Sequence, residues 1–437
     1  MPRSTAGRDS PASAVPSVSN VRRWAIVALL FFASLINYLD RATLSVALPL
    51  ISSELTLGPA KKGLLLSAFF WSYTLMQVPA GWLADRWNLR WIYAGLFSLW
   101  SLACGLTGLA GSLGVLIVLR LVLGLGECIY FPGGSKIVSV LFGAEERGLA
   151  GGVFDSGTRV GMAFGVPMIA WLTVSYGWRR MFYIVGFSAL LWLVPWLTVF
   201  PSRLNGPSNH ARKGLEARPG SRPGRPPSAV TFDRNLLGIC MGFFSFGYYW
   251  YLLVTWLPDY LITVRHLTLL KAGLYASLPF LVFGASQALG GWIADRLIRL
   301  GWDETRARKG MVTVAFLSGL FLIPATRVAS PAYAIGLLCA ASLVGLSTGN
   351  ILAILQRCAP PDEVGVWTGM ENFVGNIAGV LAPLVTGFLI SRTGSYSPAF
   401  VLAPLILVAG LLSYWLVVGD LNPRGGSRPR RPRPIVA

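Results

Sequence analysis

Charge is what this chain has least of. Of its 437 residues 13% are Asp, Glu, Lys or Arg, and only 18 are acidic, whereas a soluble domain carries about 25% charged residues. A water-soluble fold of this length is thereby excluded. Cysteine is scarce as well: Cys104, Cys128, Cys240, Cys339 and Cys358 are odd in number, scattered, and mostly inside apolar runs. That pattern excludes a disulfide framework and a metal site, and the thiols read as small buried hydrophobes. No nucleophile-base or metal constellation is present, so an enzyme is not expected, and no cofactor is called for. The glycine-rich stretch 124–134, broken by Pro132, lacks a Walker pattern and reads as a place of close helix packing and a bend.

What the chain has instead is apolar sequence: 54% hydrophobic residues and a mean hydropathy of +0.60. Apolar runs predict an all-α membrane protein with spans near 24–47, 63–84, 91–110, 114–140, 149–174 and 180–200, then 236–260, 272–294, 311–329, 332–355, 367–390 and 398–418. These are twelve transmembrane helices in two six-helix halves, 24–200 and 236–418. Residues 1–23 and 419–437 are tails. Between the halves, 201–235 is rich in Pro, Ser and Arg and reads as a flexible basic linker. The hydrophobic run after Arg22 and Arg23 is too long for a signal-peptide core, so the first helix is expected to be retained.

A repeat supports the division into halves. Gly81-Trp82-Leu83-Ala84-Asp85-Arg86 returns as Gly291-Trp292-Ile293-Ala294-Asp295-Arg296, each copy ending one apolar run and leading into a charged loop. Parallel halves of this kind belong to transporters that rock around a central site. The net charge of +19 does not form one basic domain, which argues against nucleic acid. Lys and Arg instead concentrate in both tails, the linker and one set of alternate loops, which places these on the cytoplasmic side. No Asn-x-Ser/Thr sequon occurs, and a bacterial inner membrane, with both termini inside, is the simplest address. The expected assembly is a monomer in the lipid bilayer.

Setting aside charges assigned to loops and span ends leaves seven charged residues within the expected spans: Asp40, Arg41, Arg120, Glu127, Asp155, Arg159 and Glu371. Each costs about 2.5–3.5 kcal/mol at a helix centre. Asp155 and Arg159, four apart, share a helix face and can neutralise each other, so a structural pair is expected there. Glu371 lies one turn into its span and is ambiguous. Asp40, Arg41, Arg120 and Glu127 are harder to account for structurally and form the candidate site. Adjacent helix residues point about 100° apart, so Asp40 and Arg41 address different partners, while Arg120 and Glu127 share one stripe roughly 10 Å apart along the axis. A guanidinium at one level and a carboxylate at another can hold an anion and a proton separately. Tyr38, Tyr73, Thr158, Gln356, Asn372 and Asn376 are polar span residues suited to bonding substrate hydroxyls, or alternatively to joining helices.

Burial and neighbouring arginines push a carboxyl group's proton affinity in opposite directions. An arriving carboxylate that competes for Arg41 and Arg120 would loosen their hold on Asp40 and Glu127 and favour protonation, and linkage makes that coupling reciprocal.

These residues resemble a known family. Gly81 to Arg86, with Arg90, is similar to the loop motif of the major facilitator superfamily, which latches its halves through contacts with neighbouring helix ends, although Asn88 stands where that motif usually has Gly. Asn37-Tyr38-Leu39-Asp40-Arg41, Arg120 with Gly124-Leu125-Gly126-Glu127, Gly177-Trp178-Arg179, Trp256-Leu257-Pro258-Asp259-Tyr260-Leu261 and Asn372-Phe373-Val374-Gly375-Asn376 resemble the anion:cation symporter family within it. The resemblance implies transport of organic monoanions such as aldonates, hexuronates, aldarates or aromatic acids, usually with protons. It implies proton coupling at Asp40 and Glu127, and substrate binding or gating at Arg41 and Arg120. It also places Tyr38, Tyr73, Thr158 and an Asn at 372 or 376 near substrate. Gly81, Asp85, Arg86 and Arg90, with Gly291, Asp295 and Arg296, become the conformational elements. Asp155, Arg159 and Glu371 depart from the family pattern.

The sequence thus predicts a proton-coupled symporter of a small organic anion working by alternating access. An organophosphate exchanger of the same fold is the alternative, but span 236–260 has no basic residue for a dianion. A non-transporting nutrient sensor is the alternative from another class, and the short tails and linker speak against it.

Overall fold

The computed structural model describes residues 18–201, 233–360 and 363–421; the linker and most of both tails lie outside the described residues. The first half comprises α1 (Asn20–Glu54), α2 (Pro59–Arg86), α3 (Leu89–Leu106), α4 (Leu113–Glu127), α5 (Tyr130–Leu141), α6 (Ala144–Ala189) and α7 (Leu193–Val199). The second comprises α8 (Arg234–Thr263), α9 (Leu269–Arg299), α10 (Glu304–Ser318), α11 (Leu322–Arg327), α12 (Pro331–Ala341), α13 (Thr348–Cys358), α14 (Val364–Thr393) and α15 (Ser397–Leu416). No strand occurs among the described residues.

Local chemistry sets the ends. Ser19, Asn88, Ser112, Thr268 and Asp303 each accept a backbone N–H of the helix they precede, which satisfies one of the donors a helix start leaves open. Asn88, the departure from the family loop, is therefore the N-cap of α3, its side chain accepting from Arg90 N at 3.0 Å. Pro59 and Pro331 open α2 and α12, where a missing N–H costs nothing.

Ten stretches among the described residues are long and apolar enough to cross a membrane, against the twelve read from the sequence. Two causes account for the difference. Leu149–Val199, 51 residues long, is interrupted at Gly177, whose φ of 80° breaks α6 into two helices and suits a residue without a Cβ. Pro59–Arg86 is a helix of 28 residues but is more polar, carrying Ser67, Ser72, Tyr73, Thr74 and Gln77. The expected span 114–140 is divided between α4 and α5, and 332–355 between α12 and α13 by a 3-10 segment, Ser342–Ser347.

Within the first half α1 packs on α6, and α4 on α2 and α3; within the second α8 packs on α14 and α15. The halves meet through α2 with α14, α6 with α9, and α1 with α8. The bundle has two ends: one carries the start of α1 and the repeated Asp-Arg loops, the other the α1–α2 and α8–α9 turns.

Candidate functional site

The four expected charges converge in the middle of the first half. Asp40 and Glu127 are fully buried, and Arg120 is nearly so. Arg41 Nε donates to Glu127 Oε2 at 3.0 Å, so the neighbours on α1 do address different partners: Asp40 Oδ1 instead accepts the Cys104 thiol at 3.3 Å. Cys104 is thus a polar neighbour of the candidate acid and more than a small hydrophobe. Glu127 and Arg120 also lie within electrostatic range of Asp40.

The Arg41 guanidinium is held by three rings, Tyr38 at 4.9 Å, Phe69 at 4.7 Å and Tyr73 at 4.8 Å. Aromatic faces stabilise a cation without neutralising it. Gly124 lets α4 approach the backbone of α2 at Phe69 and Tyr73, which brings those rings over Arg41. Close packing is therefore one use of the glycine-rich stretch, and its bend falls between α4 and α5.

A cavity opens beside this group. Tyr38, Arg41 and Ser45 of α1, Leu66, Phe69 and Phe70 of α2, and Arg120 of α4 face Trp250, Tyr251, Val254 and Thr255 of α8 across it. Its volume of about 30 Å³ is that of roughly one water molecule. An organic acid fits only if the walls, which belong to different halves, move apart.

Four buried polar atoms of this group have no hydrogen-bond partner among the described residues: Arg41 Nη2 and Arg120 Nε, on two residues that line the cavity, and Asp40 Oδ2 and Glu127 Oε1, on two that do not. Buried polar groups are ordinarily matched. Two donors and two acceptors left open together are equipped for an anion and for protons.

From the second half, Tyr251 donates to Asn376 Oδ1 at 3.0 Å, and Asn376 Nδ2 donates to the main-chain and side-chain oxygens of Asn372, each at 2.8 Å. Both expected asparagines therefore reach the cavity through Tyr251, which the sequence reading missed. Trp250 and Thr255 were missed as well; the signal available is an aromatic and hydroxyl stripe on an otherwise apolar span. Thr158 is buried and donates to Asp155 O at 2.7 Å, and it is not among the residues that line the cavity. Arg159 pairs with Asp155 at 3.3 Å, as their spacing implied, and also donates to Gln287 of the other half at 2.6 Å. Glu371 is buried with Oε1 unmatched.

Gln356 is a correction. It is exposed on the last turn of α13, beside Arg357, which pairs with Glu304 at 2.5 Å. The turns of α13 before it still bury Asn350, Ile351, Ile354 and Leu355, and Gln356 stands on the exposed side of the last turn, outside the cavity lining. The repeated loops differ from expectation too. Asp85 pairs with Lys136 at 2.7 Å and Asp295 with Arg308 at 3.2 Å, each within its own half, and Arg86 lies over Trp82 at 4.7 Å. Arg90 donates to Leu197 O, and Arg296 is exposed. Gly81 and Gly291 have open space where a Cβ would stand.

The family model of the Major Facilitator Superfamily matches residues 30–383 and 303–437. The chain belongs to the major facilitator superfamily. It is a transport protein and not an enzyme. It is 32% identical to a D-galactonate transporter of Escherichia coli O6:H1 over 92% of this chain and 96% of the relative. It is likewise 32% identical to a "Probable galactarate/D-glucarate transporter GudP" of Bacillus subtilis, covering 92% of each chain. The fold is shared with a bacterial homologue of the human lysosomal transporter Spinster, in an inward-facing and occupied conformation, with a TM-score of 0.76 and 18% identity over 92% of this chain and 97% of that one.

Proposed function

We propose that this chain is a proton-coupled symporter of a small organic anion, with sugar acids as its cargo class, working by alternating access across a bacterial cytoplasmic membrane. The observation that carries the reading is the set of unmatched buried atoms on Arg41 and Arg120, which line a water-sized space between the halves, and on Asp40 and Glu127 beside them. The sugar-acid transporters among its relatives support the cargo class.

In this reading a carboxylate engages Arg41 Nη2 and Arg120 and competes with Glu127 for the Arg41 fork. Glu127, with less of its counter-ion, then takes a proton, and by linkage a protonated Glu127 strengthens anion binding. Asp40 is the second proton carrier. Tyr38 and Tyr73 hold the Arg41 guanidinium, and Tyr251 with Asn372 and Asn376 reads hydroxyls from the other half. A monoanion carried with more than one proton moves net positive charge, worth about 2.3 kcal/mol per charge per 100 mV.

The topology follows the same reading. Leu149–Val199 counts as two crossings hinged at Gly177, because 51 residues of helix would extend about 75 Å against a hydrocarbon core of about 30 Å. With Pro59–Arg86 as a further crossing there are twelve, and both termini share the cytoplasmic side with the basic loops.

The test is uptake of radiolabelled D-galactonate and D-glucarate by purified protein in proteoliposomes. Accumulation driven by an inward proton gradient is expected. Equal uptake with and without the gradient would refute proton coupling, and no uptake of either acid would refute the cargo class.

A further inference from the structure

A second buried ion pair lies outside the site and joins the two halves. Lys62, in the first turn of α2, donates to both carboxylate oxygens of Asp259 near the end of α8, at 2.9 and 3.3 Å. Asp259 is fully buried and also accepts the hydroxyl of Tyr396, whose ring rests edge-on to Trp256 at 6.0 Å. The carboxylate thus has a cation from one half and a hydroxyl from its own.

Its position relative to the cavity is specific. Lys62 is one helical turn from Leu66, and Asp259 one turn from Thr255; Leu66 and Thr255 both line the cavity. The pair therefore bridges α2 and α8 about 6 Å beyond the cavity wall, at the end that carries the α1–α2 and α8–α9 turns. Beside it the backbones of Gly63 and Gly387 meet so closely that a Cβ at Gly63 would lie 2.5 Å from Pro383 O. At the opposite end, Asp85–Lys136, Asp295–Arg308 and Arg357–Glu304 each remain within one half.

We infer that Lys62, Asp259 and Tyr396 form the bolt that holds this end shut and sets the balance between the two faces of the transporter. The inference rests on the alternating-access reading, and adds the residues that bias it. A half-satisfied buried pair is costly, so separating the halves here is unfavourable until water enters to solvate both ions. Removing one partner abolishes that preference for the closed end. The bolt touches no atom of the candidate binding site, so it tunes the equilibrium and leaves intrinsic cargo affinity to the cavity.

The test uses full-length protein in nanodiscs with Cys339 and Cys358 replaced by Ser. Spin labels are attached at Ala60→Cys and Lys271→Cys, both exposed at this end on different halves. Pulsed-dipolar spectroscopy needs no cargo and no knowledge of membrane orientation, so its result is separate from the transport assay. The parent is expected to show one dominant short distance. Lys62→Gln and Asp259→Asn should each raise a longer-distance population by roughly tenfold or more relative to the short one. Tyr396→Phe, which keeps the ring, should do so to a smaller degree. The exchange Lys62→Asp with Asp259→Lys should return the short distance. Parent-like distributions in both single variants would overturn the bolt, and an exchange variant as open as the singles would overturn the ion pair as its cause.

Discussion

Arg41 of α1 and Glu127 of α4 form an ion pair of 3.0 Å in which each partner keeps one buried polar atom unmatched, Nη2 on the arginine and Oε1 on the glutamate. A pair built only for stability would be fully bonded, because burying two charges costs several kcal/mol per ion before their attraction offsets it. In the proposed cycle these atoms are where the pair exchanges partners.

Arg41→Lys keeps the charge and removes the planar fork for which Glu127 and a cargo carboxylate compete. Affinity for D-galactonate is expected to fall about 10- to 100-fold, equivalent to about 1.4–2.8 kcal/mol, measured by calorimetry on folded protein. Parent-like affinity would show that cargo does not engage the fork.

Arg120→Gln removes the second guanidinium while keeping a polar side chain against Phe182, over which the arginine stands at 5.9 Å. Binding should weaken at least about tenfold, with little change in the proton dependence of whatever uptake remains. Unchanged affinity would remove Arg120 from anion binding.

Tyr251→Phe deletes the hydroxyl that bonds Asn376 and leaves the ring against Phe70 at 4.5 Å. A loss of about 1 kcal/mol is expected, read as a roughly fivefold rise in KM for a polyhydroxy acid. A simple aromatic acid, which lacks those hydroxyls, should be unaffected. Equal effects on both cargoes would make Tyr251 a structural residue.

Gly63→Ala places a methyl against Pro383 O and the backbone of Gly387. Overpacking of this kind costs about 1–3 kcal/mol, and here it falls on the closed arrangement of one end. A lower melting temperature is expected together with slowed transport, and a parent-like melting temperature would show that the close approach is dispensable.

The parts of the site that were legible in the sequence are those with no inexpensive structural explanation. A carboxylate or guanidinium deep in an apolar run stands out, and Asp40, Arg41, Arg120 and Glu127 did come together. Asp155 and Arg159 were legible as a pair because a spacing of four fixes a shared helix face. Tyr251 was not, since a tyrosine on an aromatic-rich span looks like packing until its hydroxyl is seen against Asn376. Lys62 and Asp259 were hidden for a different reason: both stand near span ends, where charges are ordinary, and only the meeting of two halves buries them. Gln356 shows the reverse error: a polar residue at the end of an apolar run was credited with an inward face, and the last turn of α13 leaves it exposed. The fold followed the same rule: hydropathy separated the apolar runs on either side of Gly177 and located the 63–84 run, but did not see the breaks inside 114–140 and 332–355.

The most direct measurement is proton-driven accumulation by Glu127→Gln in proteoliposomes, with cargo exchange across the same membranes at equal pH as the control. The account predicts that exchange persists while accumulation above equilibrium is lost, because the amide preserves the shape and a bond to Arg41 but carries no titratable proton. Accumulation at the parent level would contradict it.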